Sequence, residues 1–169
     1  MVLSNYWKAF NVATKFNGQS SSSTIDPGIV NINGDRFELL CCTTNPNRGY
    51  VESNCRLKDV SGIRIGIGTG QIFPDDYALF NDITSNIGSL TFAVNNVIGD
   101  VKFSSIITVS GVNDSESDIT ITELGIVKTF YTYNGGATND AMLAKLQLIH
   151  PVTVPPNGAF SFTINWDEA

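Results

Sequence analysis

Ile63, Ile65 and Ile67 alternate with Arg64, Gly66 and Gly68, and a period of two with apolar residues on one side marks a half-buried strand. The same period runs through Leu90, Phe92 and Val94, and through Val101, Phe103, Ile107 and Val109 with Ser105 as the polar interruption. It is clearest near the end of the chain, where Phe160, Phe162, Ile164 and Trp166 oppose Ser161, Thr163, Asn165 and Asp167. Residues 29–32 and 37–42 are two further predicted strands, separated by Asn33 and Gly34. Residues 139–149 fit two patterns. Asn139 could cap a helix through Ala141, Leu143, Ala144 and Leu146, whereas Met142, Ala144, Leu146 and Leu148 alternate with Lys145 and Gln147. The strand is preferred, because the alternation runs into His150-Pro151 and Asn134-Gly135-Gly136 supplies a turn before it. With Pro155-Pro156-Asn157-Gly158 as another turn and 43–56 as a long polar loop, this succession predicts an all-β fold. The expected form is a single antiparallel β-sandwich, Ig-like or jelly-roll-like.

The first residues follow a different period. Leu3, Trp7 and Phe10, followed by Ala13 and Thr14, lie at helical spacing over 3–16, and Ser4 stands where an N-cap would. Gly18, Gln19 and Ser20 to Ser23 then read as a flexible linker. The expected organisation is an N-terminal arm and linker over 1–24 and a sandwich over 25–169. Leu3, Trp7 and Phe10 would form an apolar stripe that docks either on a partner or on its own domain.

One strand breaks its own alternation. In the stretch ITITELGIVKTF, residues 119–130, Ile119 and Ile121 share a face, and strict alternation would send Glu123 into the core and Leu124 outward. One extra residue at Glu123-Leu124 restores the pattern, so that Ile119, Ile121, Leu124 and Ile126 all point inward. Gly125 relaxes the backbone beside this bulge, and Glu123 is expected to accept backbone N–H bonds at the sheet edge. Glu123 and Gly125 are therefore assigned structural roles.

Composition narrows the function. The chain has 169 residues, enough for one domain. Charged residues are only 15% of it and hydrophobic ones 42%, so Ser, Thr, Asn and Gly must cover the surface, which suits a static assembly. A net charge of −6 with ten scattered Lys and Arg gives no footprint for nucleic acid. No apolar run reaches the ~20 residues of a membrane helix, and no secretion signal is expected at the N-terminus.

Candidate chemistry is sparse. Cys41, Cys42 and Cys55 are an odd set best read as reduced thiols, with a Cys41–Cys55 or Cys42–Cys55 disulfide as the lesser alternative. The only histidine, His150, is too far along the chain to complete a recognisable zinc spacing. Asn113 to Asp118 alternates acids in what reads as a solvated hairpin loop, but Ile119 and Gly125 stand where a calcium loop needs glycine and glutamate. Gly66-Ile67-Gly68-Thr69-Gly70 lacks the lysine of a phosphate loop. Asp75 and Asp76 are adjacent, so in an extended segment they point apart and suit a turn or cap. No second ionisable group pairs with Glu123 as acid and base. No catalytic, cofactor-binding or metal-binding residue is assigned, and the chain is expected not to be an enzyme. Exposed Tyr131, Tyr133 and Asn134 leave a sugar-binding adhesin as one alternative.

Several motifs occur in a fixed order: Ile65-Gly66-Ile67-Gly68-Thr69-Gly70, Pro74-Asp75-Asp76-Tyr77-Ala78-Leu79, ITITELGI, Met142-Leu143-Ala144-Lys145 and Pro151-Val152-Thr153-Val154-Pro155. Over about residues 60 to 166 the chain resembles the β-sandwich virion proteins of tailed bacteriophages, the capsid decoration, head-fibre and minor tail proteins. It departs in having Lys145 where that family uses arginine and Ile126 where it tends to have leucine. The resemblance implies structural assembly in the virion after synthesis in the host cytoplasm. The implied partners are a major capsid protein or tail components, further copies of the chain, and on the adhesin alternative a host surface glycan. A capsid-exterior role comes first and a minor tail or baseplate role second.

Overall fold

The computed structural model describes residues 1, 3–8, 23–25, 28–37, 39–41, 62–98, 103–131 and 138–167. Its strands are β1 (Ser23–Ile25), β2 (Leu39–Cys41), β3 (Gly62–Gly66), β4 (Ile87–Ile98), β5 (Phe103–Asn113), β6 (Ile119–Tyr131), β7 (Thr138–Val154) and β8 (Ala159–Asp167). β1 and β2 form a two-stranded pair, and two antiparallel three-stranded sheets have the orders β3-β6-β7 and β4-β5-β8. The fold is all-β and sandwich-like, with one short helix at residues 4–8.

The chain divides into two compact units: residues 1–62, 71–78 and 125–146, and residues 63–70, 79–124 and 147–169. The second holds β4, β5, β8, most of β3, the first half of β6 and the second half of β7. Alternation builds its core: Ile63 and Ile65 of β3, Ile107 and Val109 of β5, and Phe160 and Ile164 of β8 are buried, while Ser161, Thr163 and Asn165 are exposed. β5 lies between β4 and β8, with Val109 opposite both Phe92 and Phe162. The β4 register shifts between Gly88 and Thr91, and Ser89 there has a φ of 50°. This is the signature of a bulge. Gly111 is required at this level of the core, since a Cβ on it would stand 2.6 Å from Ile87 Cγ2 and 3.0 Å from the Phe160 ring.

The first unit is built on the other halves of β6 and β7. Its core includes Ile126 and Phe130 of β6, Met142 and Leu143 of β7, and Ile29 and Phe37, with the Phe37 and Phe130 rings 5.8 Å apart. Leu3 is fully buried in it, its N–H donating to Leu143 O at 2.9 Å, and the Lys145 N–H donates to Met1 O at 3.1 Å. Met1 and Leu3 therefore bond to β7, which agrees at Leu3 with the alternative that the stripe docks on its own domain. Asn5 completes the attachment: its amide nitrogen donates to Val30 O at 2.8 Å and Met142 O at 3.2 Å, and its oxygen accepts from Val30 N. Ser4 also departs from expectation. It is the first helical residue, and its hydroxyl donates to Asp75 Oδ1 at 2.7 Å rather than capping the helix. The remainder of the helix expected over 3–16, Phe10 included, lies outside the described residues, as does the 43–56 loop.

Two local expectations change with the fold. Residues 29–32 are not a strand: Val30 makes one isolated bridge to Arg36, and Asn31 closes a turn. The Asn31 side-chain oxygen accepts from the N–H groups of Asn33 and Asp35, its carbonyl from Gly34, whose φ is 92°. Residues 114–118 are not a hairpin loop either, because β5 and β6 belong to different sheets.

Candidate functional site

Glu123 has no exposed surface. Its Oε1 accepts from the backbone N–H of Asn81 at 2.9 Å and of Gly68 at 3.1 Å, and its Oε2 from that of Phe80 at 3.1 Å. The expected edge position is replaced by a buried one, for residues 121–128 of β6 are buried on both faces of the strand. The Glu123 side chain lies against the chain around Gly66 and Gly68. A Cβ on Gly66 would lie 2.5 Å from Glu123 Oε1, and one on Gly68 2.8 Å from the same atom and 2.8 Å from Asn81 N. The glycine-rich run is therefore the cradle of a carboxylate belonging to the protein itself.

Both ends of the Gly68 peptide are held. While its N–H donates to Glu123, its carbonyl accepts from Thr122 Oγ1 at 2.6 Å and Gln147 Nε2 at 3.1 Å. The segment after it closes against β3: Ile67 N donates to Asn81 O, Ile83 N to Ile65 O, and Ile65 N to Thr84 Oγ1 at 2.9 Å. Asp82 fixes that turn, accepting from Thr84 N and Oγ1 and meeting Arg64 at 3.2 Å.

A second buried charge works in the same manner in the first unit. Lys145 is 1% exposed, and its ammonium donates to Ala78 O at 3.1 Å and to Asp76 Oδ2 at 3.3 Å. Asp76 also closes the turn that begins at Phe73, its N–H donating to Phe73 O and its carboxylate accepting from Phe73 N. Asp75 turns instead to Ser4. The two acids point to different partners from a turn, not from the extended segment expected, and the turn or cap role given to them holds for Asp76.

Asn113 is the residue that sequence reasoning missed most clearly. It is fully buried at the end of β5; its amide nitrogen donates to Ser117 O and Val154 O, both at 2.9 Å, and its oxygen accepts from Ser115 N and Oγ. One amide closes the whole crossover. The only signal was an asparagine on the apolar face of a strand, at the position following Val109 and Gly111 in the period of two. The neighbouring acids Asp114, Glu116 and Asp118 are exposed, and among the described residues no group of His, Cys, Asp or Glu is arranged to hold a metal.

The other assigned residues are dispersed. Gly125 is buried in β6, Leu3 is buried under the helix, and Trp7 is 55% exposed with its ring edge-on to Tyr6 at 5.2 Å. His150 is exposed on β7. Tyr131 ends β6, whereas Tyr133 and Asn134 lie outside the described residues, as do Cys42 and Cys55. No helix among the described residues is long and apolar enough to cross a membrane. No protein-family model, no curated protein and no solved structure matches this chain.

The arrangement has a consistent chemistry. Asn5, Asn113, Glu123 and Lys145 are buried, and each bonds to backbone groups remote in sequence. A buried charge kept in this way must be matched by donors or acceptors, because desolvating it alone is costly. These four side chains hold loops in place.

Proposed function

We propose that this chain is a structural protein of a tailed-bacteriophage virion, seated on the capsid exterior as a decoration or head-fibre type of protein, with further copies of itself and the capsid as partners. The observation that carries the reading is where the motifs of the resemblance do their work. Gly66 and Gly68 cradle Glu123, the turn 73–78 is held by Lys145, and Glu123 holds Phe80 and Asn81. Motifs whose polar groups lock backbone to backbone suit a building block that must keep one shape. Of the apolar stripe at the N-terminus, Leu3 is buried and Trp7 is 55% exposed.

The test is a cryo-EM map of particles purified with the protein. Density for the sandwich on the outer face of the capsid is the expected result. Density at the tail or baseplate would move the assignment there, and absence of the chain from purified particles would overturn it.

A further inference from the structure

A sheet edge presents unpaired N–H and C=O groups, and proteins usually cover such edges or interrupt them with charge or proline. This chain treats its edges unequally. The outer edge of β3 is covered by residues 81–84, through Ile83 N donating to Ile65 O and Ile65 N donating to Thr84 Oγ1. The first half of β7 is covered by Met1 and Leu3, through Lys145 N donating to Met1 O and Leu3 N donating to Leu143 O, and by Ile32 N donating to Asp140 O. The second half of β7 carries Pro151.

The edge of the other sheet has no such device. β4 pairs only with β5, and among the described residues no backbone bond reaches its outer side. From Ile87 to Ile98 it contains no charged residue and no proline, and its bulge lies at one end, leaving Thr91 to Ile98 regular. Its core side is incompletely sealed as well. Phe92 and Val94 stand opposite the buried Val109 and Ile107, yet both remain half-buried. β8, the opposite edge, is shorter and ends in Asp167.

We propose that the outer edge of β4 pairs antiparallel with β4 of a second copy of this chain, about a twofold axis normal to the sheet. The charge pattern selects this occupant. Antiparallel twofold pairing sets a strand against itself, so a charged side chain near the axis would meet its own copy, and like charges across strands destabilise. A strand free of charge over its whole length escapes that repulsion in every register, in a protein whose net charge is −6. The pairing makes one continuous sheet, β8-β5-β4-β4-β5-β8, extends the burial of Phe92 and Val94, and closes as a dimer. It gives a place to the self-association in the reading above, and it stands whether or not the protein belongs to a virion.

Sedimentation velocity of the full chain across a range of concentrations tests this. Wild type is expected to be a dimer. Ala93→Lys with Asn95→Lys, both on the exposed face of β4, should weaken dimerisation about tenfold or more by setting lysines of the two copies against each other, with an unchanged circular dichroism spectrum. Thr163→Lys with Asn165→Lys on β8 should leave the dimer intact. A wild-type monomer at all concentrations, a dimer insensitive to the β4 lysines, or loss of the dimer on changing β8 alone would each overturn the proposal. So would a ladder of ever larger species, which signals β4 pairing with β8 in an open chain. Presence of the protein in particles is read separately, so failure of either reading is visible without the other.

Discussion

Glu123 is a carboxylate with three backbone donors and no contact with solvent. Hydrogen bonds to a charged acceptor are about twice as strong as neutral ones, and removing the acceptor leaves its donors to find water or go unpaired. Glu123→Ala is accordingly expected to lower stability by about 1 to 3 kcal/mol, read from chemical denaturation. Glu123→Gln should recover little of this, because one of its two oxygens becomes an NH2 facing a backbone N–H. Full recovery by glutamine would mean that the charge is unimportant. That Glu123 would serve the backbone could be read from sequence alone, since a carboxylate in an alternating strand has few uses without an ionisable partner. The identity of its donors could not, because Phe80 and Asn81 are brought to it by packing of a segment that shows no periodicity, and Gly68 stands past the end of β3.

At the scale of the element, the segment following β3 and the centre of β6 are built for each other. A Cβ on Gly66 would press on Oε1, Cγ and Cδ of a side chain that three hydrogen bonds hold still. Gly66→Ala should therefore destabilise by about 1 to 3 kcal/mol in the wild type. In a Glu123→Ala background the obstructing atoms are gone, and the same change should cost less by about 1 kcal/mol or more. Strict additivity would show that Gly66 serves some other purpose. The strands themselves were largely legible: alternation identified β4, β5 and β8, whose inward side chains are the less exposed ones, and the strand over 139–149 was read from its alternation and flanking turns although residues 141–145 are buried on both faces. It failed where side chains replace ladder bonds. Asn31 turns 29–32 into a closed turn, and β1 arises in a serine-rich run that composition assigns to a linker. Alternation also misjudged the surroundings of β6, which is covered on both faces and so obeys no simple in-and-out rule.

Over the whole molecule, the first eight residues illustrate how a stripe on a sequence divides once it folds. Leu3 is enclosed and Trp7 faces outward. Leu3→Ala should lower stability by about 2 to 5 kcal/mol, as for other fully buried leucines, while Trp7→Ala, at a residue 55% exposed, should change it by about 1 kcal/mol or less. Equal losses at the two positions, read from chemical denaturation, would contradict this division. The same economy applies to the buried polar residues: Asn5, Asn113, Glu123 and Lys145 act as ties, and the protein behaves as a fixed part if those ties hold. Amide hydrogen exchange by NMR at Gly68, Phe80 and Asn81 measures the strongest of them directly. These three amides should be protected in the wild type and lose protection together in Glu123→Ala, with the amides of β5 unchanged. Equal, rapid exchange of all three in both proteins would contradict the role given to Glu123, and with it the view that the motifs of this chain are spent on architecture.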